Sequence, residues 1–97
     1  MKNDVLEGKY VVCRCLFAGV HAGYLIRQDG DMVELRDSRR LWLWKSKKKS
    51  VALSGVAQSG LGEGCKVDVV NPFIRLTGVN ETILASEEAE KSINEYE

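Results

Sequence analysis

Residues 37–50, DSRRLWLWKSKKKS, place both tryptophans of a 97-residue chain within one strand length of its densest positive charge. A guanidinium beside flat indole faces suits one chemistry in particular. It holds a phosphate in a bidentate fork while a ring stacks on a planar base, and each stacked base contributes about 1–3 kcal/mol. Read as an extended strand, the stretch sends Arg40, Trp42 and Trp44 to one face and Arg39, Leu41, Leu43 and Lys45 to the other. The leucine face then supplies core. The expected ligand-binding set is Arg40, Trp42 and Trp44, supported by Arg39, by Lys47, Lys48 and Lys49, and by Ser50, which opens a short helix whose free amides receive an anion. The competing structural reading puts the tryptophans in the core or a subunit interface and the lysines in a solvated loop. Both hold at once if a tryptophan at a subunit interface walls a pocket between subunits.

Other residue types offer less. His21, the single histidine, lies in GVHAG with no nucleophile arrangement beside it, which fits a loop or strand residue better than a general base. No motif pairs two acids for glycoside or phosphoryl chemistry, and GLGEGC lacks the lysine and hydroxyl that complete a phosphate-binding loop. Cys13 and Cys15 in VVCRCLF fall on one strand face beside Val11 and Phe17. A metal site would have to add Cys65 and His21, but no C-x₂₋₄-C or H-x₃₋₅-H spacing is present, so the cysteines are read as small apolar fillers. The expectation is a non-catalytic protein with no metal and no cofactor.

Formal net charge is zero, yet the charges are segregated. Arg36 to Lys49 holds seven basic residues and one acid, whereas Glu81 to the end holds six acids and one lysine. A local anion site with an acidic surface elsewhere fits this better than the extended basic face of a general nucleic-acid binder. The apolar stretches are far shorter than the roughly 20 residues of a spanning helix, and MKNDVLEGKY lacks the apolar centre of a secretion signal. With three cysteines, an odd count, the expected location is the cytoplasm, with no membrane partner.

The elements that must position the tryptophan stretch are mostly strands. KYVVCRCLF (9–17) alternates as a strand, AGVHAG supplies a turn or bulge, and YLIRQDGDMVELRD has the pattern of a hairpin turning at Asp29-Gly30. The third strand runs on through SRRLWLWK past a polar interruption at Asp37-Ser38, which predicts a bulge that lets one strand serve two sides of a curved sheet. Ser50 is placed as the N-cap of a short helix in SVALSGVAQSGL. KVDVV and PFIRL read as strands broken at Asn71-Pro72, ETILA as a last strand, and Ser86 as the cap of an acidic helix. The expectation is a single domain over 1–97, mainly β with two short helices: an N-terminal tail at 1–8, a small, strongly curved antiparallel sheet or open SH3-like barrel, and a C-terminal acidic helix at 86–97. A chain this short buries a modest core, so a homo-oligomer, at least a dimer, is expected.

AGVHAGYL, the acid-glycine turn, SRRLWLWK, the serine-led segment and EEAEKSI together resemble an uncharacterised family of small tailed-bacteriophage proteins of about one hundred residues. The resemblance runs from about Tyr10 to Ile93, and its most specific element is the Arg-Arg-x-Trp-x-Trp pattern. Leu43 stands where an aromatic is common, and KSKKKS replaces a less charged linker. The resemblance implies a setting, the cytoplasm of an infected bacterium. In that setting a small non-enzymatic protein with this stretch is expected to sequester a nucleotide immune signal, a cyclic oligonucleotide or cyclic ADP-ribose type of molecule, and so inhibit antiphage defence. Binding of nucleic acid, or of a host protein through the Trp/Arg/Lys patch, is the alternative.

Overall fold

In the computed structural model, which describes residues 4–97, six antiparallel strands form one sheet and two short helices cover part of it. The strands are β1 (Tyr10–Cys15), β2 (Gly19–Asp29), β3 (Met32–Leu43), β4 (Lys66–Val67), β5 (Asn71–Leu76) and β6 (Val79–Leu84); α1 spans Leu53–Ser59 and α2 spans Glu87–Asn94. The expected mainly β class with a curved antiparallel sheet is therefore what the chain adopts. The order is β4-β3-β2-β1-β6, with β5 also on β3. Because β5 and β6 sit at opposite edges yet are joined by Thr77 and Gly78 alone, the sheet must curl until its edges approach. Val79 N–H donating to the Asp31 carbonyl and Leu16 N–H to the Gly78 carbonyl fasten that end.

The polar interruption in β3 is a bulge, as its sequence implies. Tyr24 pairs with Arg36 and Ala22 with Arg39, so Asp37 and Ser38 together oppose Gly23. Asp37 takes a left-handed φ of 48° and Gly23 lies close under Ser38. The extra residue reverses the alternation of β3. Val33 and Leu35 face one core with Val11, Cys13, Cys15, Leu25, Leu76 and Val79, while Leu41 faces the other with Tyr10, Val12, Val20 and Ala22. The helices close that second core through Leu53, Val56, Ala57 and Ile93. One strand thus serves two cores.

Several sequence expectations shift. The first strand stops at Cys15, and Phe17 lies in the following turn, 95% exposed instead of beside the cysteines. AGVHAG is mostly strand, because β2 already begins at Gly19. The hairpin turn moves one residue: Asp29 pairs with Met32, leaving Gly30 and Asp31 at the bend, with Gly30 at φ 62°. Asn71-Pro72 opens β5 instead of breaking it, which an edge strand tolerates because the missing N–H is not needed on the outer side. α1 starts only at Leu53, with Ala52 as its uncapped N-cap residue, so Ser50 does not cap it. Ser86 does cap α2, accepting from the Ala89 N–H at 3.0 Å, with Glu87, Glu88 and Glu90 in the first turn.

Of the expected N-terminal tail, residues 1–3 lie outside the described residues. Asp4–Glu7 form a turn that seats Leu6 against the core that holds Cys13 and Cys15, and the Gly8 N–H donates to the Leu25 carbonyl. Among the described residues no helix is long and apolar enough to cross a membrane.

Candidate functional site

The eight residues singled out in the sequence separate into four places. The first is the interior. Arg39, opposite Ala22 on the helix-covered face, is 91% buried, and its guanidinium is consumed by backbone. Its Nε donates to the Asp68 carbonyl at 2.8 Å, and its Nη1 donates to the carbonyls of Ile93 at 2.7 Å and Tyr96 at 2.9 Å. These last two carbonyls lie at and just beyond the C-terminal end of α2, where the helix dipole favours a cation. Arg39 therefore docks α2 onto the sheet. The expected ligand role of Arg39 is corrected to a structural one.

The second place is the opposite face. Arg40 pairs with His21, which pairs with Cys13, so Arg40 lies on the side of the cysteine-containing core. Its guanidinium carbon stands 3.5 Å from the Trp42 ring centroid, a cation–π stack. It also lies over Gly19, where a Cβ would come within 2.9 Å of Arg40 Nη2. The Trp42 indole N–H donates to Asp68 Oδ2 at 3.1 Å. Asp68 is held below the usual carboxylate range by the Val69 N–H and then by this indole. One face of Trp42 is thus already stacked within the chain.

Trp44 occupies the third place, and here the sequence reading of a shared face fails. β3 ends at Leu43, after a register shift in which Leu41 pairs with Val67 but Leu43 with Lys66. Past that slip the simple alternation no longer holds. Trp44 packs against the core under the helices, with the Arg14 guanidinium 5.9 Å from its ring centroid. It lines an open groove of about 450 Å³ with Lys45, Ser46, Lys48, Lys49, Ser50 and Val51. Ser50 Oγ accepts from the Ala52 N–H at 3.4 Å, a local turn that shapes the groove wall. Ser46 Oγ is buried without a hydrogen-bond partner among the described residues.

Lys47 goes to the fourth place. It borders a separate hollow of about 470 Å³ along α2 with Glu88, Lys91, Glu95 and Tyr96. The structure therefore brings Trp44, Lys48, Lys49 and Ser50 together and separates them from Lys47, from Arg39, and from Arg40 with Trp42. Lys45, Ser46 and Val51 were missed as groove residues, although Lys45 belongs to the visible basic run. Asp68 carried no signal, because its partnership with Trp42 spans 26 positions.

The remaining reactive side chains are divided between the two cores. Cys13 and Cys15 lie in one, and Cys65 packs against the other, so the set weighed as a metal site is not assembled. Burial pushes the Cys13 thiol up to about 12 and raises that of Cys15. His21 is 95% buried and donates from Nε2 to the Ala18 carbonyl at 2.9 Å, leaving Nδ1 without a partner among the described residues; burial lowers its pKa. No curated protein and no solved structure matches the chain. A family model matches residues 8–93, from just before β1 to the last turn of α2, and the chain belongs to that family, a domain of unknown function, DUF6948.

Proposed function

We propose that this protein is a non-catalytic binder of a small phosphorylated nucleotide, held in the groove beside Trp44. The observation that carries the reading is the lining of that groove. It combines an indole, three lysines (Lys45, Lys48 and Lys49) and two serines, and none of its lining residues is acidic. An aromatic surface for a base and ammonium groups for phosphate are what a nucleotide needs, and the volume falls within the roughly 300–1,000 Å³ usual for small-molecule sites. A chain of zero net charge whose lysines converge on one groove suits a compact anion better than a long polyanion, which asks for a basic track. In the setting suggested by its resemblance to small phage proteins, the infected bacterial cytoplasm, the ligand is a nucleotide immune signal of the cyclic oligonucleotide or cyclic ADP-ribose type, sequestered intact.

The test is calorimetry with cyclic dinucleotides, cyclic trinucleotides and cyclic ADP-ribose isomers, followed by chromatography of ligand released on heating. A Trp42→Phe variant leaves Trp44 as the single indole, so ligand stacking reads out as a change in its emission. Binding tighter than about 100 µM, a free energy of some 5.5 kcal/mol, with unchanged ligand recovered, supports the reading. Lys48→Ala with Lys49→Ala should weaken it about tenfold or more at low salt. A converted product would make the protein an enzyme. Binding of an oligonucleotide or a host protein in place of every nucleotide would discard the proposal.

A further inference from the structure

The face opposite the helices ends in an apolar surface. Phe17 is 95% exposed, Val69 72%, Trp42 58% and Val70 50%. They are neighbours by a chain of contacts. The turn containing Phe17 leads into Gly19, Arg40 lies over Gly19, Trp42 stacks on Arg40, and the Trp42 indole holds Asp68, from which Val69 and Val70 continue. With a full aromatic side chain presenting on the order of 200 Å², these four expose roughly 500 Å², near the upper end of the largest apolar patch on ordinary monomers. Half of a standard interface, about 800 Å² per partner and roughly 60% apolar, needs the same amount.

The charges within the patch say what covers it. Arg40 makes no ion pair among the described residues, and exposed Asp68, which accepts from the Trp42 indole and whose backbone N–H donates to the Arg40 carbonyl, brings the opposite charge into the same patch. A partner of one charge sign would satisfy one of these and repel the other. A second copy turned by a two-fold axis offers both signs in complementary places, as an isologous contact requires. We propose that this surface is the interface of a homodimer, with Trp42 near the axis and Arg40 facing Asp68 of the partner subunit. The proposal is independent of the groove beside Trp44, which lies on the helix-covered side.

Sedimentation equilibrium of the full chain from about 1 to 200 µM tests it. The expected mass is twice the 10.8 kDa of the chain, with a dissociation constant of about 10 µM or tighter, as for a standard-size interface. Phe17→Glu with Val69→Glu alters only exposed side chains and should weaken the dimer by about 100-fold with an unchanged circular dichroism spectrum. Asp68→Lys, which sets a cation against Arg40, should weaken it by about 10-fold, and this variant decides the matter if the other does not fold. A monomer at every concentration would overturn the proposal. A dimer unaffected by the substitutions would do the same, since the contact would then lie elsewhere.

Discussion

Arg39 and Arg40 are adjacent, identical in type and opposite in consequence, which makes their paired substitution a sharp test of the structure. Arg39→Ala removes three hydrogen bonds of 2.7–2.9 Å to the carbonyls of Asp68, Ile93 and Tyr96. Each bond from a charged donor is worth about 1.5–3 kcal/mol net, and the gap left by the side chain admits some water, so the three together should cost roughly 3–5 kcal/mol rather than their sum. Against a total of about 5–15 kcal/mol for a domain, that loss is severe. At about 4–8 °C per kcal/mol for a domain near this size, the melting temperature should fall by more than about 12 °C. Arg39→Lys keeps the charge but not the fork that reaches carbonyls on two segments, so it should fall between the two.

Arg40→Ala, by contrast, removes a stack on an exposed indole and no side-chain hydrogen bond among the described residues. A cation–π contact of that kind is worth about 0.5–1 kcal/mol. Urea unfolding followed by circular dichroism, at a concentration where all variants share one oligomeric state, measures both. The reasoning fails if Arg39→Ala costs less than about 1 kcal/mol, or if Arg40→Ala costs more than Arg39→Ala.

In native protein at pH 8, a thiol reagent should modify half-buried Cys65 well before Cys13, whose thiol is buried and pushed up to about 12; equal rates would contradict the packing of β1. Buried Glu34, which accepts from Arg75 at 2.8 Å and from Arg27 at 3.0 Å, has its carboxyl held below the usual range first by Arg75 and then by Arg27. Its folded value lies below the unfolded one, so its stabilisation is present above about pH 4.3 and is lost as pH falls through the folded value. Glu34→Gln should therefore flatten that acid limb, and an unchanged limb would refute the link. Gly23→Ala would set a Cβ 2.8 Å from Ser38 Cβ and 3.1 Å from the Arg36 carbonyl, prising open the bulge at a cost of about 1–3 kcal/mol in chemical denaturation; no loss of stability would refute this close approach.

Strand alternation was legible in the sequence wherever pairing is regular, and failed where it slips. Val11, Cys13 and Cys15 share a face because β1 runs unbroken between β2 and β6 as far as Arg14. The Asp37-Ser38 bulge was visible because two polar residues interrupt an apolar strand. The slip near Leu43 was not, since it is imposed by two residues of β4 that follow more than twenty positions later. It carries Trp44 to the other side from Trp42, so a motif that looked like one site became two. Arg39 misled for a related reason: a buried arginine can be told from a binding one only by its carbonyl partners, and those at and just past the end of α2 lie 54 and 57 positions away.

The groove beside Trp44 lies on the helix-covered side, and the patch around Trp42 lies on the opposite side. In the proposed dimer both grooves point outward, separated from the interface by the thickness of the sheet, and neither borrows a residue from the other subunit. Ligand binding should then be one per chain, non-cooperative, and independent of protein concentration across the dimer dissociation range. Phe17→Glu with Val69→Glu should abolish dimerisation while leaving the nucleotide affinity within about twofold, because sites sharing no partner are additive to within about 0.5 kcal/mol. Calorimetry at two protein concentrations reads both quantities. A stoichiometry of one ligand per two chains would place the ligand on the two-fold axis, and both surfaces would have to be assigned anew.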